Sequence, residues 1–285
     1  MFASPRRLRL RLLCTDTSPV KEALDVWPEL PISIRILDFR RMHTLVTIVI
    51  AALEQHDRVC AIHVEAYAIS LLKILSAMKK PFPSLIDLKI VSIVRNEPET
   101  WIPDSFLGGS APLLRSLEFS NIPLSCSEIG KLLLSAPNLT FLCLGPIPRS
   151  GPKRTSPEAM VNSLSVLTRL KSLGLTFGSE TPRPQSQQSR GHPPSFSRVV
   201  LPAFTNTYLH GDKEYLEDFV SRIDTPLLAD ITIRFSHIDQ PMPVAPPLRD
   251  FISRTEKFGA CSKIDTNSSC GRARIQFFRR DGQGL

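Results

Sequence analysis

Apolar residues recur along the sequence in a short pattern, apolar-x-x-apolar-x-apolar, whose copies follow one another at a mean spacing of about 29 residues. The last two apolar residues of each copy are separated by a single residue, which predicts a strand with one buried face. The copies begin at Trp27, Val59, Leu85, Leu114, Leu139, Leu170, Phe204 and Leu228. A unit of this length cannot bury its apolar face alone, so neighbouring units are expected to stack around one shared core.

The segments between the copies place apolar residues at helical spacing. Ser156 and Pro157 predict a helix start, because a serine side chain caps the first turn and proline suits its first position. The predicted helices present Met160, Val161, Leu164 and Leu167 after Ser156; Tyr215, Leu216, Phe219, Val220 and Ile223 after an Asp212 cap; Ile129, Leu132 and Leu133 after a Ser125–Glu128 capping box; and Ile69, Leu72, Ile74, Leu75 and Met78 before Pro81. Strands that alternate with helices predict parallel strands covered by helices.

The period and the pattern are those of a leucine-rich repeat. We therefore expect an α/β fold, a curved leucine-rich-repeat solenoid (a right-handed β-α superhelix) with a parallel concave sheet and helices on the convex side. This degenerate repeat domain is expected to span residues 5–280 with about eight or nine repeats. The intervals are irregular, and Ile93, Ile122 and Ile147 occupy the position of the usual Asn or Cys. An ordinary α/β domain rich in leucine is therefore the alternative.

Both ends of the chain and one internal segment depart from the repeat pattern. Apolar and polar residues alternate near each end, which predicts one further strand there. The apolar residues of these two strands are Leu8, Leu10 and Leu12, then Ala273, Ile275 and Phe277. Residues 1–4 and 281–285 are expected to be flexible ends. Residues 178–198 are rich in Pro, Ser and Gln and nearly lack apolar residues, so we expect a disordered insertion loop there.

The chain has a formal net charge of +8 over 285 residues, but this charge is concentrated at its two ends. Residues 1–13 contain four arginines and no acid, and residues 271–285 contain four arginines and one aspartate. The body between them is nearly neutral, so it carries no broad basic face and nucleic acid is not an expected partner. The longest uncharged apolar stretch, residues 45–53, is far shorter than the ~20 residues that span a bilayer, so a membrane is not an expected partner either.

Neither catalytic nor cofactor chemistry is predicted. The six cysteines form no C-x-x-C pair and lie near no histidine cluster, so we expect no zinc site and favour a reduced compartment, cytoplasmic or nuclear. The sequence has no zinc-protease, nucleophile-elbow, phosphate-loop or dinucleotide-binding motif. We therefore expect a protein that is not an enzyme and needs no cofactor or metal, and an enzyme with an unrecognised spatial site is the alternative.

Seven segments carry a resemblance to fungal, mainly mushroom-type (basidiomycete) F-box/leucine-rich-repeat proteins. They are LDVWPELPI (24–32), IAALEQHDRVCAI (50–62), PFPSLIDLKI (81–90), PDSFLGGSAPLLRSLEF (103–119), SPEAMVNSLSVLTRLKSL (156–173), YLEDFVSRIDTPLL (215–228) and FISRTEKF (251–258). Members of that group carry an F-box, a helical segment that docks on the adaptor of a cullin-type ubiquitin ligase, and their repeats hold the substrate. No amphipathic helical segment precedes Arg6 here, so the resemblance implies an adaptor partner only if an F-box lies upstream.

The expected function is non-catalytic protein recognition on the concave strands, plausible as the substrate-binding repeat region of an F-box-type ubiquitin-ligase receptor. Residues that alternate with the buried ones would line this surface, and aromatic and arginine side chains are typical interface anchors. The predicted partner-binding residues are His63, Glu65, Lys89, Glu118, Phe141, Tyr208, His210 and Arg234. A free-standing repeat scaffold or a truncated product with no ligase link is the alternative, and each residue taken singly can also be a solvated strand residue.

Overall fold

The computed structural model describes most of the chain and divides it into two compact units, Met1–Gly145 (unit 1) and Pro146–Leu285 (unit 2). The described residues are 10–14, 30–36, 42–93, 102–122, 124, 126–147, 155–178, 198–236, 246–255, 265–269 and 272–277. The greater part of the predicted insertion 178–198 and the predicted flexible ends 1–4 and 281–285 lie outside these residues. In the described part of the chain, no helix combines the length and the apolar character needed to cross a membrane.

Unit 1 is an α/β unit in which each described strand pairs in parallel with the next one along the chain. Its strands are β1 (Leu10–Cys14), β2 (Ile32–Ile36), β3 (Val59–Ala66), β4 (Asp87–Ser92), β5 (Ser116–Ser120) and β6 (Phe141–Ile147), the last of which crosses the unit boundary. Its helices are α1 (Met42–Leu53), α2 (Ala68–Ala77) and α3 (Cys126–Leu134), and a 3-10 turn covers Phe106–Gly109. The predicted α/β class with parallel strands and intervening helices is confirmed here.

The repeated apolar pattern forms the buried layer of unit 1. Its middle positions lie opposite one another across four strands, and each of these side chains is fully buried: Ile62, Leu88, Leu117 and Leu142. The residue between the last two apolar positions of each of these four copies is only half-buried: His63, Lys89, Glu118 and Cys143. Burying one face of each strand fixes the register, because a shift by one residue would turn every apolar side chain to the opposite face.

The first copy of the pattern is displaced from its predicted position. The register places Ile34, rather than Leu30, opposite Ile62 of β3. The physical reason is that residues 30–36 alternate over a longer stretch than one copy needs, so Leu30, Ile32, Ile34 and Ile36 offer two equally apolar alignments. The neighbouring strand decides between them, and the observed register buries Ile32, Ile34 and Ile36.

Unit 2 begins as parallel strands and ends in an antiparallel pair. Its strands are β7 (Ser172–Phe177), β8 (Val199–Val200), β9 (Asn206–Gly211), β10 (Ile223–Asp224), β11 (Asp230–Phe235), β12 (Asp265–Ser269) and β13 (Arg272–Phe277), and its helices are α4 (Pro157–Leu164), α5 (Lys213–Ser221) and α6 (Pro246–Ser253). Strands β7, β9 and β11 pair in parallel, whereas β13 runs antiparallel to both β11 and β12. Strands β8 and β10 form a separate two-stranded parallel sheet.

The strand predicted around Ala273, Ile275 and Phe277 is confirmed as β13, and the one predicted around Leu10 and Leu12 as β1. The direction of β13 differs from the expected parallel arrangement. Only two residues join β12 to β13, so these two strands must be antiparallel to each other, but this short connection does not set the direction of β13 relative to β11. Alternation along a strand is the same in either direction, so the sequence pattern contains no information about it.

The predicted helices form, but two are shorter than expected: Leu167 lies beyond α4, which ends at Leu164, and Ile223 lies on strand β10 because α5 ends at Ser221. The Ser156 cap is confirmed, because its hydroxyl accepts a hydrogen bond from the backbone N–H of Ala159 at 3.1 Å. Asp212 occupies the N-cap position of α5, although its side chain does not make the capping hydrogen bond.

The apolar face of α2 differs from the prediction. Ile69 is predicted to lie on that face but is 59% exposed. In its first two turns that helix buries residues one position earlier than expected, Ala68 and Leu71 instead of Ile69 and Leu72, whereas Ile74 and Leu75 are buried as predicted. The proposed capping residue Ser125 lies outside the described residues, and the pattern does not predict α1 or α6.

Candidate functional site

Unit 1 presents a row of polar side chains on the strand face opposite its buried pattern residues. His63, Lys89, Glu118 and Cys143 lie directly opposite one another on β3, β4, β5 and β6. All four are half-buried, so they are held by the sheet while remaining reachable from outside. These residues, together with Asp87, are called the unit 1 polar face below.

The polar residues of the unit 1 polar face bond to one another in two pairs, one of which is an ion pair between lysine and glutamate. The His63 imidazole donates from Nε2 to the Oδ2 of Asp87 at 2.7 Å, and the two side chains are 37% and 36% exposed. The Lys89 ammonium lies 3.1 Å from the Oε1 of Glu118. Pairs this exposed contribute only ~0–1 kcal/mol each to stability. Their main consequence is that the lysine of this face is already paired with a carboxylate of its own chain.

Two further residues, Phe141 and Glu65, and the ionisation of Cys143 complete the view of this face. Phe141, at the start of β6, keeps 36% of its surface exposed, which is unusual for an aromatic ring on a strand that is otherwise well buried. Glu65 is half-buried two residues beyond His63 on the same strand face. The pKa of the Cys143 thiol is raised, first by burial and then by the negative charge of Glu118, while Lys89 opposes the shift. Cys143 is therefore a protonated, weakly nucleophilic thiol at neutral pH.

Asn121 joins the ends of three strands and was not singled out by the sequence pattern. Its backbone adopts the left-handed conformation, with φ of 58°. Its side-chain amide donates to the carbonyl of Ser92 at 2.8 Å, and its backbone N–H donates to the carbonyl of Gly145 at 2.6 Å. In the leucine-rich-repeat pattern, the position of the usual asparagine is occupied here by Ile122, one residue after Asn121. An asparagine one position early was therefore the available sequence signal.

Unit 2 presents a second polar group on strands β9 and β11. Arg234 lies directly opposite His210, and Thr232 lies directly opposite Tyr208. The guanidinium carbon of Arg234 lies 5.4 Å from the centre of the Tyr208 ring, within the range of a cation–π contact. The Ser236 hydroxyl lies 3.3 Å from the Nε2 of His210. Tyr208, His210, Arg234 and Ser236 are called the unit 2 arginine cluster below.

Arg234 is the member of the unit 2 arginine cluster whose hydrogen-bonding capacity is not used. Its Nε is buried and has no hydrogen-bond partner, and among the described residues its guanidinium forms no ion pair. The side chain as a whole is half-buried. Arg234 therefore has a positive charge that is held in place by an aromatic ring but that no described carboxylate neutralises.

The structure brings the predicted binding residues together in two sets. His63, Lys89 and Glu118 are neighbours in unit 1, with Glu65 and Phe141 further along their strands. Tyr208, His210 and Arg234 are neighbours in unit 2. Sequence reasoning missed Ser236, which continues the alternation of Thr232 and Arg234 by one more step beyond the predicted strand.

The described residues contain no group of three or more His, Cys, Asp and Glu side chains placed to hold a metal ion. The chemistry that the two polar groups offer is hydrogen bonding, ion pairing and aromatic stacking. In comparisons with known proteins, no family model matches this chain and no curated protein is similar to it.

Proposed function

We propose that this chain is a non-catalytic protein-recognition module, in which the repeats form a curved leucine-rich-repeat solenoid and the polar strand faces bind a protein partner. The observation that supports this most is the composition of those faces. Half-buried charged, aromatic and hydroxyl side chains stand on consecutive paired strands over a fully buried layer of Leu and Ile. Such a face holds its side chains in fixed positions and so reduces the entropy that binding costs.

The resemblance to F-box/leucine-rich-repeat proteins extends the proposal to a specific role. The repeats would be the substrate-binding region of an F-box-type ubiquitin-ligase receptor, acting in the cytoplasm or nucleus. The ligase adaptor would join the complex through an F-box encoded upstream. A free-standing repeat scaffold with no ligase link would use the same strand faces and would lack only the adaptor.

The test is affinity capture from cells that express the tagged full-length protein, compared between surface variants of unit 1. Phe141→Ala and Lys89→Ala change the polar face, whereas Leu134→Ala removes an apolar side chain that is 67% exposed on α3. We expect the two face variants to lose the partner and the α3 variant to retain it, at equal thermal stability. Retention of the same partner by all three variants would contradict binding on this face.

The adaptor separates the two roles. Co-purification of a cullin-ligase adaptor with the full-length gene product supports the receptor. Capture of a specific partner without any adaptor supports the free-standing scaffold.

A further inference from the structure

The unit 2 arginine cluster differs from the unit 1 polar face in the state of its charges. In unit 1, Lys89 is neutralised by Glu118, and Asp87 is bonded to His63. In unit 2, the guanidinium of Arg234 is stacked on Tyr208 and no described carboxylate pairs with it. A positive charge that remains unneutralised on an ordered face is available to a partner of opposite charge.

The nearest acidic position on the same strand lies too far along the strand to neutralise Arg234. Asp230 is four residues away on β11, which corresponds to about 13 Å at the rise of an extended chain. Asp265 lies on β12, which is separated from β11 by β13. In the register, Asp265 is opposite Gln276 of β13, and Gln276 is opposite Thr232 of β11. Neither position faces Arg234 directly across the sheet.

The strand register places one histidine position and one arginine position beside Arg234. His210 lies opposite it on β9, and Arg274 lies opposite it on β13. Directly paired residues share one face of a sheet, and neighbouring strands are about 4.8 Å apart. Positions 210, 234 and 274 therefore form a row about 10 Å long on one face of unit 2.

The burial of Arg234 strengthens its attraction for an anion. Because its Nε is buried without an acceptor, water does not hydrate that side of the guanidinium. A partly dehydrated charge interacts more strongly with an incoming carboxylate than a fully hydrated one does. The Tyr208 ring holds the side chain in position, so less rotamer freedom is lost when the carboxylate arrives.

We propose that the unit 2 arginine cluster binds an acidic segment of the partner protein, with an aspartate or glutamate carboxylate paired to Arg234 beside Tyr208. The inference rests on the proposed function and specifies the chemistry of its partner. On the side of β9, the Ser236 hydroxyl and the His210 ring, 3.3 Å apart, border the position of this carboxylate.

The binding test uses a fluorescently labelled ten-residue peptide of alternating Glu and Ser, titrated with the full chain and followed by anisotropy. A matched peptide of alternating Gln and Ser serves as the neutral control. We expect the acidic peptide to bind and to weaken with added salt, because the contact is ionic and partly exposed. We expect Arg234→Gln and Tyr208→Ala to weaken binding at least about tenfold, and Tyr208→Phe to preserve it because the stacking ring remains.

The matched control is Lys131→Ala, which removes an exposed lysine of α3 that already pairs with Asp104, and it should leave the peptide affinity unchanged. Thermal melting of each variant checks that folding is intact. Failure of the acidic peptide to bind, or equal binding by wild type and Arg234→Gln, overturns the inference. The second result would mean that other basic segments, such as the arginine-rich ends, bind the peptide. Tighter and Arg234-dependent binding of a DNA duplex would also overturn it in favour of nucleic acid.

Adding Arg234→Gln to the cellular capture experiment distinguishes failure of this inference from failure of the proposed function. Loss of the partner with Phe141→Ala but not with Arg234→Gln would leave protein recognition standing and refute the role of the unit 2 arginine cluster. Retention with both variants would refute both. Loss with Arg234→Gln, together with its weakened peptide binding, supports the acidic partner.

Discussion

Two adjacent glycines in unit 1 provide a matched pair for testing how the turn before β5 is stabilised. Leu107, Gly108 and Gly109 all have left-handed backbones, with φ of 53°, 57° and 69°. The turn packs against the segment that ends α2, since the backbone N–H of Leu107 donates to the carbonyl of Met78 at 2.7 Å. Replacing either glycine with alanine adds one methyl group to nearly the same backbone conformation.

The two methyl groups would meet different surroundings. A Cβ at Gly108 would lie 2.5 Å from the backbone nitrogen of Pro81 and 2.6 Å from its Cδ, whereas a Cβ at Gly109 would meet no atom within 4 Å. Both substitutions incur the left-handed penalty of ~1–2 kcal/mol for a residue with a Cβ. Gly108→Ala must also displace the Pro81 backbone, and overpacking of this kind adds ~1–3 kcal/mol. We therefore expect losses of ~2–5 kcal/mol for Gly108→Ala and ~1–2 kcal/mol for Gly109→Ala.

Urea denaturation followed by circular dichroism at 222 nm measures the free energy of unfolding of both variants and of the wild type. The decisive quantity is the difference between the two variants, because the conformational penalty common to both cancels. Equal losses for the two variants would refute the reasoning, since they would show that the Pro81 contact costs nothing. A smaller loss for Gly108→Ala than for Gly109→Ala would refute it outright.

Three further predictions concern a helix cap, a buried carboxyl and a thiol. Ser156→Ala should lower the free energy of unfolding by ~1 kcal/mol, whereas Ser156→Asp should keep the wild-type value because its carboxylate oxygen can still cap the helix. Equal losses for the two variants in urea denaturation would contradict a stabilising role of the Ser156 cap. The pKa of the Glu217 carboxyl is raised above 4.5, and burial is the largest cause. The protonated carboxyl therefore contributes fully to the stability of the fold below pH 4.5, and this contribution is lost as the pH rises through the raised pKa. Glu217→Gln should therefore flatten the dependence of stability on pH in that window, and an unchanged slope in urea titrations at several pH values would contradict this. Glu118→Gln should speed the alkylation of Cys143 by iodoacetamide at fixed pH, because the negative charge of Glu118 raises the pKa of that thiol. Peptide mass spectrometry measures the alkylation rate, and an unchanged or slower rate would contradict this effect of Glu118.

Part of the candidate site followed directly from the sequence. The alternation of buried and half-buried residues placed Lys89 and Glu118, and likewise Tyr208, His210 and Arg234, on the exposed sides of their strands. Which residues touch was decided by the register between strands. The pairing of Lys89 with Glu118 and the stacking of Arg234 on Tyr208 depend on how neighbouring strands align, and these segments are separated by more than twenty residues of chain.

The local periodicity of this sequence determined where the strands from β3 to β7 and the helices from α2 to α5 form, because a period of two or of 3.6 residues is a property of the chain itself. It also determined the Ser156 cap, which involves only residues within one helical turn. The tertiary structure alone decided the register of β2, the antiparallel direction of β13 and the bridging role of Asn121. Each of these depends on what lies across from the segment, and the same alternating pattern is compatible with more than one neighbour until the core is packed.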